Sequence, residues 1–145
     1  MEKSTVSRYV RQEIFAGIGP DGQEKIKKGR VAIIEMSSIG GAVANSLVRA
    51  GVGYVRLIDG DYIELAELQR QTIFTEKDAK EETPKVVAAY EYLKTVNSEV
   101  EIDPVISDVN SGTIDNLIED VDLVIDETDS MEVRLLLNEA CYHLK

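Results

Sequence analysis

The chain has 145 residues, 43% of them apolar and 30% charged, which is enough to bury one ordinary core. A net charge of −11, from 27 acids against 16 bases, excludes nucleic acid and anionic membrane surfaces as default partners, and the lone Cys141 excludes an internal disulfide framework or a cysteine-based zinc site. No signal-like start and no window near the roughly 18 apolar residues of a membrane span occur, so one soluble, cytoplasmic domain over residues 1–145 is expected.

Helical patterns over residues 7–15 and 21–28 form an N-terminal arm (1–29), with Gly17, Gly19 and Pro20 read as the turn between them. Arg30-Val-Ala-Ile-Ile34 is a short, non-alternating apolar run, as a strand buried on both faces requires. Apolar residues recur at helical spacing over 40–50, Gly51-Val52-Gly53 ends that helix, and a second strand over 54–58 stops at Asp59-Gly60-Asp61. A β-α-β unit of about 30 residues implies a parallel sheet. Thr83 offers a capping hydroxyl, and Pro84 a proline start, for a helix over 85–96 with an apolar stripe of Val86, Val87, Ala89, Tyr90 and Leu93. An outer strand runs from Val100 and Ile102 to near Ile106, a short helix covers 114–118, and a buried strand covers 122–126. A last helix over 131–144 is capped by Asp129 or Ser130. The order predicts an α/β, three-layer fold on a mainly parallel sheet.

In such a sheet ligands bind beyond the carboxyl ends of the strands, which selects the loops at 35–39, 59–61 and 127–130. A dinucleotide site carries G-x-G-x-x-G in the first of these, whereas this chain has Glu35-Met36-Ser37-Ser38-Ile39-Gly40 and keeps only the last glycine. Taken alone, that loop reads as a bare turn without a ligand.

Six ordered segments say more: Arg8-Tyr-Val-Arg-Gln12, Gly22-Gln-Glu-Lys25, Arg49-Ala-Gly-Val-Gly53, Leu65-Ala-Glu-Leu-Gln-Arg-Gln71, Thr83-Pro-Lys85 and Asp126-Glu-Thr-Asp-Ser130. Together they resemble the ThiF/MoeB family of adenylating enzymes, relatives of the ubiquitin-activating enzymes, over nearly the whole chain. The resemblance implies a Rossmann-like domain that binds ATP and Mg2+ and adenylates the C-terminal carboxylate of a ubiquitin-like sulfur carrier, often as a homodimer. It places the ribose-contacting acid on Asp61, the phosphate-contacting bases on Arg70 and Lys85, the magnesium-linked aspartate on Asp129, and on Arg11 the arginine delivered to the partner subunit. Without it, Arg70 and Lys85 read as surface charges, Asp61 as a turn acid and Asp129 as a helix cap.

The residues expected to face the nucleotide are Glu35, Ser37, Gly40, Asp59, Asp61, Glu67 and Glu127, and several depart from the family pattern, which has glycine at 35 and 37 and asparagine at 67. An ionised Glu35 beside phosphate would meet like charge at about 4 kcal/mol per unit pair at 4 Å. The chain therefore reads as an impaired nucleotide-binding half, with a non-adenylating or engineered scaffold carrying a carboxylate-rich pocket as the alternative. Glu35 is expected to act as an internal anion at the start of the helix over 40–50, so that replacing it with glycine lowers stability. Cys141 reads as a core residue and His143 as a surface residue at a helix end.

Overall fold

The computed structural model describes residues 7–144, so the expectations for residues 1–6 and 145 lie outside the described residues. Four strands, β1 (Arg30–Ile34), β2 (Tyr54–Ile58), β3 (Glu101–Val105) and β4 (Leu123–Asp126), pair entirely in parallel in the order β3-β2-β1-β4. β1 and β2 run in register from Arg30 opposite Tyr54 to Ile34 opposite Ile58. The fold is Rossmann-like, with helices on both faces of the sheet.

The helices are α1 (Val10–Glu13), α2 (Gly19–Lys28), α3 (Ser38–Ala50), α4 (Glu76–Lys80), α5 (Lys85–Val96), α6 (Ile114–Ile118) and α7 (Met131–His143). Because side chains alternate across a strand, β1 sends Val31 and Ile33 to one face and Ala32 and Ile34 to the other. The first face meets Ala44 and Val48 of α3 and Val86, Ala89 and Leu93 of α5 in the larger apolar cluster. The second meets Ile114, Leu117 and Ile118 of α6 and Leu137 and Ala140 of α7 in a smaller one, where the half-buried Cys141 packs.

Several expectations need correction. Gly19 and Pro20 do not break the arm but begin α2, where a proline without an N–H fits the first turn. α1 is a single turn rather than a helix over 7–15. Pro84, not Thr83, stands at the N-cap position of α5, which has no side-chain cap hydrogen bond, while the Thr83 carbonyl accepts from the Ile63 amide at 3.1 Å. Of the two caps expected for α7, Asp129 or Ser130, it is Ser130 that serves, accepting from the Val133 amide at 3.3 Å. β4 is not buried: it is an edge strand whose Leu123 is 55% exposed, with no strand on its outer side among the described residues. A 3-10 turn at Leu65–Glu67 and the five-residue α4 gave no periodic signal, being too short to show one.

The arm is pinned by polar contacts at the end of the sheet where the strands begin. The Asn97 amide, fully buried, donates to the Tyr9 hydroxyl at 2.8 Å and to the Val48 carbonyl at 2.9 Å. Gln12 and Gln23 both donate to the Ala50 carbonyl at 3.0 Å, satisfying the last turn of α3. Gly51, at φ +84°, lies so close to Tyr9 that any side chain would strike the ring.

Candidate functional site

Three loops leave the carboxyl ends of β1, β2 and β4 and meet above the sheet. Asp59, 6% exposed, ties the first two together, its Oδ2 accepting from the Met36 amide at 2.7 Å and its Oδ1 from the Asp61 amide at 2.8 Å. Ser37 caps α3 by accepting from the Gly40 amide at 3.3 Å. Gly40 is required, because a Cβ there would collide with the Glu35 carbonyl.

Glu35 holds a left-handed backbone, φ +70°, that a glycine would adopt without strain. Its carboxyl turns toward the Thr128 hydroxyl, which donates to it, rather than acting as the cap of α3, a role filled by Ser37. Burial pushes the Glu35 carboxyl above its ordinary value, the Thr128 hydrogen bond opposes that, and the charges of Asp59, Asp129 and Asp61 add to it. With Asp59, Asp61, Ser107, Asp108 and Val133, Glu35 lines a cavity of about 170 Å³.

Beside this cavity lies the one cation of the site that is removed from water. Lys85, the first residue of α5, has a side chain only 7% exposed, so the surface-charge reading of it fails. Its Nζ lies 3.0 Å from Glu67 Oε1 and 4.0 Å from Asp61 Oδ2, and its amide donates to the Asp61 carbonyl at 3.0 Å. Arg70 approaches the same Glu67 oxygen at 3.8 Å from a half-exposed position, and Asp61 is 77% exposed. Glu67 also accepts from the Gln71 amide at 3.0 Å and from the Glu64 amide at 3.3 Å. Burial alone would push the Glu67 carboxyl up, but the bonds from Lys85, Glu64 and Gln71, with the Lys85 charge, hold it below its ordinary value. Two site carboxyls are thus driven in opposite directions, Glu35 upward by burial and then by neighbouring acids, Glu67 downward by the bonds it accepts, that of Lys85 foremost.

After β4, Asp126 accepts from the Thr128 amide at 3.0 Å and pairs with Arg134 at 3.3 Å, while Arg134 donates to the Thr128 carbonyl at 2.7 Å. This brace holds Glu127 half-exposed and Asp129 exposed at the rim, with the Asp129 charge within reach of Glu35. Among the described residues no three acid, histidine or cysteine side chains converge on a metal. Arg11 is exposed on α1 at the opposite end of the sheet, so the structure does not bring it to the cluster. Gln71, Thr128 and Arg134 were not legible as site residues: the first two lie inside recognisable motifs, and Arg134 gives no signal beyond its helix.

Residues 9–145 match the profile of the ThiF family. The chain is 47% identical over 133 residues to the sulfur carrier protein ThiS adenylyltransferase of Bacillus subtilis (strain 168), covering 92% of this chain and 40% of that protein. It is 40% identical over 138 residues to the molybdopterin-synthase adenylyltransferase of Escherichia coli (strain K12), covering 95% and 55%. Among solved structures, E. coli MccB with ATP superposes with a TM-score of 0.82 at 27% identity, covering 96% of this chain and 42% of that one. The chain therefore spans about two-fifths to just over half of these relatives.

Proposed function

The chain belongs to the ThiF family, and from that membership we propose that it is the nucleotide-binding half of an ATP-dependent adenylyltransferase for the C-terminal carboxylate of a ubiquitin-like sulfur carrier. The name of the Bacillus relative supports a sulfur carrier as substrate, and both relatives are named as adenylyltransferases. The observation that carries the reading is Lys85. It is a cation only 7% exposed, paired with Glu67 at 3.0 Å, and it stands where ligand loops of a parallel sheet converge, a place suited to offsetting phosphate charge.

Adenylation forms a bond from a carboxylate oxygen to the α-phosphorus and breaks the α–β anhydride bond, releasing pyrophosphate. The protein's part is to offset phosphate charge and align the groups. Lys85 and Arg70 supply positive charge, the first-turn amides of α3 add partial positive charge, and the exposed Asp61 carboxylate suits ribose hydroxyls. Mg2+ would take Asp129 with phosphate oxygens and water, the usual way this ion is held when no carboxylate cage exists. The position of Arg11, far from its own site, supports delivery to a second copy in a homodimer.

Glu35 works against the nucleotide, and adenylation by this chain is read as impaired on that account. The same residue favours a second reading, a non-adenylating scaffold whose pocket holds carboxylates instead of phosphate. Calorimetric titration with ATP and Mg2+ separates the two. Micromolar binding that Lys85→Ala weakens by about tenfold or more, roughly the loss of one charge-assisted contact, supports the nucleotide site. No heat at millimolar ATP supports the scaffold.

A further inference from the structure

We propose that Glu67 is an internal latch on Lys85: it occupies the cation that the nucleotide needs, so ATP binds only by displacing a carboxylate of the protein itself. This rests on the nucleotide-site reading above and adds to it a regulating residue.

The geometry is specific. The Lys85 side chain is only 7% exposed, and the anion beside it is Glu67 at 3.0 Å, with a side chain only 16% exposed. Two further donors, Gln71 Nε2 at 3.0 Å and the Glu64 amide at 3.3 Å, fix the carboxylate in place. Gln71 adds an independent sign. It is 3% exposed, spends its amide nitrogen on Glu67 and leaves its Oε1 buried with no hydrogen-bond partner, so the packing here favours holding Glu67 over satisfying the amide.

A phosphate arriving at Lys85 would place a second anion on one buried cation, which repels the first. Glu67 then has one nearby alternative, Arg70, whose guanidinium lies 3.8 Å away and is half exposed. The latch therefore opens by moving Glu67 off Lys85 as phosphate takes the lysine, with the Arg70 guanidinium, which has donors enough for two anions, shared between the displaced carboxylate and the phosphate. Asp61, 4.0 Å from Lys85 but 77% exposed, is too well hydrated to hold the lysine alone.

The test is ATP binding with Mg2+ by calorimetry on the full chain, comparing the wild type with Glu67→Gln, Lys85→Met and the double variant. Circular dichroism confirms folding, and Glu67→Asn serves if Glu67→Gln does not fold. The expected result is at least tenfold tighter ATP binding by Glu67→Gln, with the gain abolished on Lys85→Met, since the effect passes through the lysine. Equal or weaker binding by Glu67→Gln, or a gain that survives Lys85→Met, overturns the latch and leaves the nucleotide site standing. No binding by the wild type or by either Glu67 variant at millimolar ATP overturns the nucleotide site, and the latch with it.

Discussion

At position 35 the backbone and the side chain disagree. A φ of +70° suits glycine, and a side chain held there costs about 1 kcal/mol or more. The carboxyl is also pushed up, by burial first and then by Asp59, Asp129 and Asp61. With a folded pKa above the unfolded one, its contribution to stability is full below the ordinary value and is lost as pH rises through the raised value. At neutral pH the ionised group opposes folding. Both effects reverse the expectation drawn from the sequence, that Glu35 steadies the loop as an internal anion. Glu35→Gly should raise stability at pH 7 by about 0.5–1 kcal/mol after allowing for the looser unfolded chain, or about 2–4 °C in Tm. The gain should shrink near pH 4. Thermal melting at the two pH values checks this, and a lower Tm at pH 7 would show that the carboxylate does hold the loop. The sequence could not reveal the sign, because the backbone angle is set by the turn and not by the residue filling it.

At the scale of elements, the strands are legible and the polar ties between them are not. Counting apolar residues finds Tyr54–Ile58 but says nothing of what Arg56 in its middle would meet. Its side chain, 13% exposed, pairs with Asp103 of β3 at 2.8 Å and Asp120 at 2.7 Å, and donates to the Leu117 carbonyl at 2.8 Å. Tyr54 donates to Asp103, and Arg30 lies 3.8 Å above the Tyr54 ring while pairing with Asp120 at 2.8 Å. The end of α6 is thereby tied to three strands. Burial would raise the Asp103 carboxyl, but the bonds from Tyr54 and Arg56 hold it low, and the Arg56 bond does the same for Asp120. Depressed carboxyl values give stability that is present above the unfolded value and lost as pH falls through the folded one. Arg56→Met should cost about 2 kcal/mol at pH 7, and should flatten the loss of stability below about pH 4. Urea midpoints at neutral and acid pH measure both. An acid slope equal to that of the wild type would show that these carboxylates are not held by Arg56.

For the whole molecule, the parallel sheet was legible because strands buried on both faces leave an unmistakable apolar run, and the candidate site was chosen by the rule that such sheets bind ligands beyond their carboxyl ends. The pairing of Glu67 with Lys85 was not, since it joins residues 18 apart whose meeting depends on a 3-10 turn without periodic signal. Edge exposure of β4 was hidden for a similar reason: an apolar strand does not state its neighbours. The two faces of the sheet are also unequal, with the larger cluster under α3 and α5 and the smaller under α6 and α7. Opening the smaller side exposes less apolar surface, so amide protons there should exchange with deuterium through a partial unfolding that spares the other side. The backbone of α6 and α7 is expected to exchange at a free energy lower by about 2 kcal/mol or more than that of α3 and β1. Equal protection on both faces would mean that the sheet and its two layers open only as one cooperative unit.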